Sequence, residues 1–235
     1  MKDLSLLDLN DYAVIETESG SVAFQQLGIL VLDGSGSMVD ELNMDKIPKG
    51  KAVSQAVRGV FNRFKDSRKE ECFSFAVVAY DEKAKVVMDI TEVKDINSEE
   101  DYNPTIGMGG VTYIYRGLEK AKEIADKFFA MPNPMEVGRS VVIVVLSDGL
   151  DMEEKETKRV LAQITKNSSI KVASCFFETL GAKKEYMDKC REYMEGLASE
   201  ATLFQSVATI EGVRKFFTAS VSGIISNSDE RYNIT

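Results

Sequence analysis

A chain of 235 residues, 44% hydrophobic and 29% charged, has the make-up of an ordinary globular domain and enough length for one sizeable α/β core. Its net charge of −9 speaks against nucleic acid and against an anionic membrane surface as partners, since both call for a basic stripe. With no histidine in the chain, a histidine base, a histidine metal ligand and every Ser-His or Cys-His relay are excluded.

Residues 1–22 show no clear period and contain "ETESGS", so they read as an N-terminal extension with a turn. The opening carries acids where a secretory signal would carry a basic segment and a long apolar one. No apolar run is long enough to span a bilayer. Cys72, Cys175 and Cys190 are too few for a disulfide framework, and the first two fall in strand-like runs, where cysteine is a small buried hydrophobe. Together these features predict a cytoplasmic protein with reduced thiols.

"LGILVLD" (27–33) is a continuous apolar run, the mark of a strand buried on both faces. Pro48 stands where proline tolerates a helix start, and Val53, Ala56, Val57, Val60, Phe61 and Phe64 follow at helical spacing. "CFSFAVVAY" (72–80) reads as a strand, and "AKVVMDI" (84–90) follows so soon after "DEK" that the two must form a hairpin. A polar stretch ending in "GMGG" precedes a helix with Ile114, Leu118, Ala121, Ala125 and Phe128 on one face. Then come the strand "SVVIVVLS" (140–147), a helix over 154–167, the strand "IKVASCFF" (170–177), a helix over 184–198, a short strand at 202–206 and a last helix carrying Phe216 and Phe217. Residues 227–235 are a polar tail. Strands alternating with helices, without repeats or linkers, predict one domain over 23–226. Its fold class is α/β: a Rossmann-like, doubly wound, mostly parallel six-stranded sheet in the order 3-2-1-4-5-6, strand 3 antiparallel, helices on both faces.

In such a sheet, ligands bind beyond the carboxyl ends of the strands, where the strand order reverses. Asp33 ends the first strand and Asp148 the fourth, so both carboxylates point into that crevice. The glycine-rich loop at 107–110 can bring Thr112 there. With Ser35 and Ser37 from "DGSGS", the convergent set is Asp33, Ser35, Ser37, Thr112 and Asp148. Oxygen-only donors of this kind suit a hard cation, Mg²⁺ or Mn²⁺.

Asp33-Gly34-Ser35-Gly36-Ser37, followed by Met38, resembles the D-x-S-x-S metal-ion-dependent adhesion site of von Willebrand factor type A domains. Thr112 in "GGVTYIYRGLEKA" and Asp148 in "VVLSDG" match the other two parts of that pattern, in order, and the resemblance spans roughly residues 24–225. It implies that Ser35, Ser37 and Thr112 bind the metal directly and that Asp33 and Asp148 act through water. It further implies that an Asp or Glu of a partner protein completes the shell. The layout is similar to small bacterial cytosolic proteins of this family linked to tellurite resistance, and others work with ATPases. "GGVT" has one residue more than the commoner G-G-T, and "SDGLDMEE" has acids where a proline-containing turn is frequent.

Plainer readings stand beside these. "DGSGS" and Asp148-Gly149 also suit simple turns, and Thr112 a helix cap. Met38, Met108, Tyr113 and Tyr115 suit the rim of the site as apolar contacts for a partner, and Tyr113 and Tyr115 suit packing against the crossing helix equally well. Asp40, Glu41, Asp151, Glu153 and Glu154 read as a solvated acidic face. A metal-dependent phosphohydrolase with an aspartate nucleophile is the enzymatic alternative. It needs a second acid two residues after Asp33, where Ser35 stands, so a non-enzymatic binding module is expected. A vWA domain whose metal is purely structural is the third reading.

Overall fold

The first strand, β1 (Phe24–Asp33), is buried from Leu27 onward. The chain continues through α1 (Lys49–Lys65), β2 (Phe73–Tyr80), β3 (Ala84–Glu92), α2 (Ile114–Ala130), β4 (Gly138–Ser147), α3 (Glu154–Ile164), β5 (Ile170–Phe177), α4 (Lys184–Glu195), β6 (Phe204–Val207) and α5 (Ile210–Ser222). This computed structural model describes residues 24–42, 46–67, 70–133, 136–179 and 181–223, and the backbone of a two-residue antiparallel pairing of Glu16–Thr17 with Gly20–Ser21. Otherwise the predicted extension over 1–22 and tail over 227–235 lie outside the described residues.

The six strands form one sheet in the order β3-β2-β1-β4-β5-β6. Every neighbouring pair is parallel except β2 and β3, which form the antiparallel hairpin. β1 is therefore flanked by β2 and β4, and the reversal of strand order falls at its carboxyl end, as the element order predicts. β1 begins three residues earlier than its apolar run, because Phe24, Gln25 and Gln26 pair with Gly138, Arg139 and Ser140. The polar pair is held sideways, Arg139 Nε donating to Gln25 Oε1 at 2.9 Å, a signal that hydropathy does not carry. α4 ends at Glu195, with Gly196 as its cap, three residues short of the predicted end.

Alternation along β1 sorts the core into two layers. Leu30 and Leu32 face α1 and α5; Leu27, Ile29 and Val31 face α2, α3 and α4. Each such buried side chain contributes about 2 kcal/mol through removal from water. α2 lies hard against the sheet: a Cβ added at Gly117 would come 2.5 Å from Val31 Cγ1. This close approach draws the loop before α2 over the end of β1. Among the described residues, no helix is long and apolar enough to cross a membrane.

Candidate metal centre

β1 delivers the Asp33 carboxylate, fully buried, to the carboxyl end of the sheet. Its Oδ1 accepts the Ser35 backbone N–H at 2.8 Å, and its Oδ2 accepts the Ser147 hydroxyl at 2.6 Å. The Gly34 N–H donates to the Tyr80 carbonyl at 2.7 Å, which continues the β1–β2 ladder one residue past the strand. A Cβ at Gly34 would sit 2.5 Å from the Pro104 carbonyl oxygen, so the residue between Asp33 and Ser35 has to be glycine. A 3₁₀ turn over Gly36–Val39 follows. It leaves the Ser35 and Ser37 hydroxyls 3.2 Å apart, and Ser37 donates to Asp148 Oδ1 at 2.7 Å. Four of the five predicted residues are thus joined by hydrogen bonds, with Ser35 and Asp148 buried and Ser37 exposed at the mouth.

The fifth, Thr112, stands two residues ahead of α2 and is buried. Its loop is tied on both sides. The Gly36 N–H donates to the Gly110 carbonyl at 3.0 Å, and the Met152 N–H donates to the Thr112 carbonyl at 3.0 Å. The Thr112 hydroxyl makes no hydrogen bond among the described residues. Two aspartates shape this loop. Asp81, just past β2, accepts the N–H groups of Gly109 and Gly110 on Oδ2 at 3.0 and 3.1 Å, and that of Lys83 on Oδ1. Gly109 has φ +136°, a conformation that a side chain would strain. Asp151 Oδ1 accepts the Ile114 and Glu153 N–H groups, at the starts of α2 and α3, and its Oδ2 accepts the Thr157 and Tyr193 hydroxyls.

Asp151 therefore departs from the expected solvated acidic face. It is 6% exposed, and its charge is taken up by two helix N-termini and two hydroxyls. Asp40, Glu41, Glu153 and Glu154 are exposed as expected. Met38, expected at the rim, is instead fully buried against the α1–α5 layer, because the 3₁₀ turn over Gly36–Val39 turns it inward. Tyr115 packs on the opposite layer, its ring 5.8 Å from that of Tyr113.

One residue of the centre carries no signal in the sequence. Lys49, the first residue of α1, is 2% exposed, and its ammonium donates to Asp148 Oδ2 at 2.6 Å and to Thr179 Oγ1 at 2.8 Å. A lysine beside a helix-starting proline reads as a solvated side chain until β4 and β5 are placed next to it. The helix dipole opposes a cation at this end, so the Asp148 carboxylate and the Thr179 hydroxyl have to offset that and the desolvation.

Burial pushes the Asp33 carboxyl up to about 7, and the Asp148 charge adds to the rise; the bonds from Ser147 and Ser35 pull the other way without cancelling it. The centre thus holds a carboxylate that is costly to ionise without further positive charge. Among the described residues, no group of three or more cysteine, aspartate and glutamate side chains is placed to hold a metal ion. An ion here would lean on hydroxyls. An octahedral Mg²⁺ with bonds of about 2.1 Å separates adjacent ligand oxygens by about 3.0 Å. The Ser35 and Ser37 hydroxyl oxygens, 3.2 Å apart, lie close to that spacing. The donor set fits a small divalent cation.

The model of the von Willebrand factor type A domain matches residues 29–220 of the chain. Among curated proteins, none matches the sequence. Solved structures share the fold at low identity. The pilus adhesin SpaC from Lactobacillus rhamnosus GG is 14% identical with a TM-score of 0.65, over 87% of this chain and 31% of its own. Proximal thread matrix protein 1 from the mussel byssus, solved with a zinc-occupied MIDAS motif, is 17% identical with a TM-score of 0.58, over 86% of this chain and 46% of its own. BatB from Bacteroides thetaiotaomicron is 14% identical with a TM-score of 0.56, over 86% of this chain and 99% of its own. The chain thus spans less than half the length of the first two.

Proposed function

The chain belongs to the von Willebrand factor type A domain family, and from that premise we propose that it is a protein-binding module working through one Mg²⁺ or Mn²⁺ ion. Ser35, Ser37 and Thr112 are the direct ligands, Asp33 and Asp148 act through water, and a partner's Asp or Glu takes the remaining position. The observation that carries this reading is the hydrogen-bonded convergence of Asp33, Ser35, Ser37 and Asp148 at the strand-order reversal, with Ser37 open to solvent. When bound, the ion supplies Lewis acidity toward an incoming carboxylate. The chain's own residues fix the hydroxyls, keep Asp33 out of water and present a rim.

That rim is specific. Val39, Ile106, Val111 and Met152 are exposed large hydrophobic residues in the three loops that form the centre. Asp40, Glu41, Glu153 and Glu154 surround them with negative charge. The partner that fits has an acidic side chain flanked by apolar ones, on an otherwise neutral or basic surface.

Asp33 favours this reading over a phosphohydrolase. A nucleophilic carboxylate has to present an oxygen to substrate, and both Asp33 oxygens are engaged within a fully buried residue. Cys175 and Cys190, buried as thiols, support cytoplasmic placement. The narrower assignment to a bacterial tellurite-resistance or ATPase-associated complex rests on the sequence resemblance alone.

The test is a displayed peptide library panned on the immobilised protein in Mn²⁺. Selected peptides are expected to share an Asp or Glu beside apolar residues and to be released by EDTA. Thr112→Ala is expected to weaken them at least about tenfold, a loss of about 1.4 kcal/mol, while the melting temperature stays within about 2 °C of wild type. Equal affinities in Mn²⁺, in EDTA and with Thr112→Ala would move the binding surface away from this crevice.

A further inference from the structure

Lys49 is not among the residues that the family resemblance places in the metal site, yet it is bonded to one of them. Its ammonium occupies Asp148 Oδ2, and Ser37 occupies Oδ1, so both oxygens of that carboxylate are already engaged. The ion pair is almost wholly shielded from water, at 2% and 1% side-chain exposure, where charges act on one another far more strongly than at a surface. Such a pair is weak evidence of a purely stabilising role, since replacing both members of a buried ion pair by apolar residues is often neutral or stabilising. Here it also sets a lysine against the dipole of its own helix.

We infer that Lys49 is a built-in counter-cation that holds down the metal affinity of this centre and leaves the loaded centre with a net positive charge, an inference that rests on the metal reading above. The charge count carries it. Ionised Asp33 and Asp148 contribute two negative charges, and Lys49 returns one. A divalent ion added to this set leaves +1; without the lysine it would leave zero. The first consequence is weaker intrinsic metal binding, because the ammonium repels the ion across a dry space. The second is that a partner's carboxylate, and not the ion alone, brings the centre to neutrality. Metal and carboxylate therefore bind with positive coupling, each tightening the other by the same factor. The bond to Thr179 holds the ammonium between the loops that follow β4 and β5, so it cannot swing out to solvent without breaking both contacts.

Calorimetry with Mn²⁺ alone tests this on the whole chain. Lys49→Met is expected to tighten Mn²⁺ binding at least about tenfold and to enlarge the rise in melting temperature on adding Mn²⁺. A merely structural lysine would give the opposite, a loosened loop with weaker metal binding and a smaller rise. Because Lys49→Met leaves Asp148 buried without its counter-charge, Lys49→Gln keeps the comparison sound if that variant does not fold: it removes the same charge and retains a side-chain donor for Asp148. It too is expected to bind Mn²⁺ at least about tenfold more tightly than wild type. Binding by wild type as tight as, or tighter than, by whichever of the two variants folds overturns the inference and leaves the metal reading standing. No Mn²⁺ binding by wild type or by any variant overturns both.

Discussion

Asp33→Asn is expected to abolish Mn²⁺ binding, with a loss of at least about 100-fold, and to raise the melting temperature in EDTA at pH 8. The two effects have one cause. The asparagine keeps the acceptor for the Ser35 N–H and can donate to the Ser147 hydroxyl, so the loop geometry survives. What disappears is a buried negative charge. Burial pushes the Asp33 carboxyl up to about 7, from an ordinary 3.8. The folded chain therefore binds this proton more tightly than the unfolded chain does. Stability from this group is largest in acid, falls as pH rises through the window from about 4 to about 7, and is flat above it. The loss is on the order of a few kcal/mol, and a neutral amide escapes it. The same proton enters metal binding. Near pH 6, Mn²⁺ uptake is expected to release close to one proton, and near pH 8.5 almost none. Calorimetry in two buffers of different ionisation heat measures that number. A variant less stable than wild type at pH 8, or proton release independent of pH, would contradict the assignment of Asp33 as the strained carboxylate of the centre.

The largest loss of stability from a single substitution is expected at Asp151. Asp151→Ala strips the start of α2 and the start of α3 of their acceptor and leaves the Thr157 and Tyr193 hydroxyls without theirs. Several buried donors unpaired at once place the cost at about 3–5 kcal/mol, a fall in melting temperature on the order of 10 °C for a chain of this size. Thr112 lies two residues from the α2 start that Asp151 holds, so Mn²⁺ affinity is expected to fall as well. Asp151→Asn retains one acceptor and loses the charge, so its fall should be smaller. Thermal denaturation in EDTA separates these cases, and a shift of under about 3 °C for Asp151→Ala would show that the caps contribute little.

The residues that the sequence picks out and those it passes over differ in kind. "DGSGS", Thr112 and Asp148 are legible because each sits at the end of a strand or the start of a helix that hydropathy alone locates. Asp81 and Asp151 are equally buried, but each is one acid among several in a polar loop, and nothing in the local pattern separates Asp151 from the exposed Glu153 and Glu154. Lys49 is the clearest case: Pro48 announces a helix start, and the residue after it has no reason to be buried until Asp148 and Thr179 arrive beside it. Met38 reads as a rim residue because a 3₁₀ turn, which turns one residue of four inward, leaves no period to read.

By itself the sequence determined the element order, the two-sided burial of the central strands, and the exclusion of histidine chemistry. These depend on short-range periodicity and composition, which are properties of the chain before it folds. It also determined which strand ends carry the oxygen donors. Only the tertiary structure decided what faces them: a lysine from the start of α1, an aspartate past β2 that grips the glycine loop, and an aspartate that caps two helices at once. The deciding contacts join segments tens of residues apart, 99 between Lys49 and Asp148, 28 between Asp81 and Gly109 and 37 between Asp151 and Ile114. Charge balance in a dry crevice is set by distance in space, and no window along the chain records it.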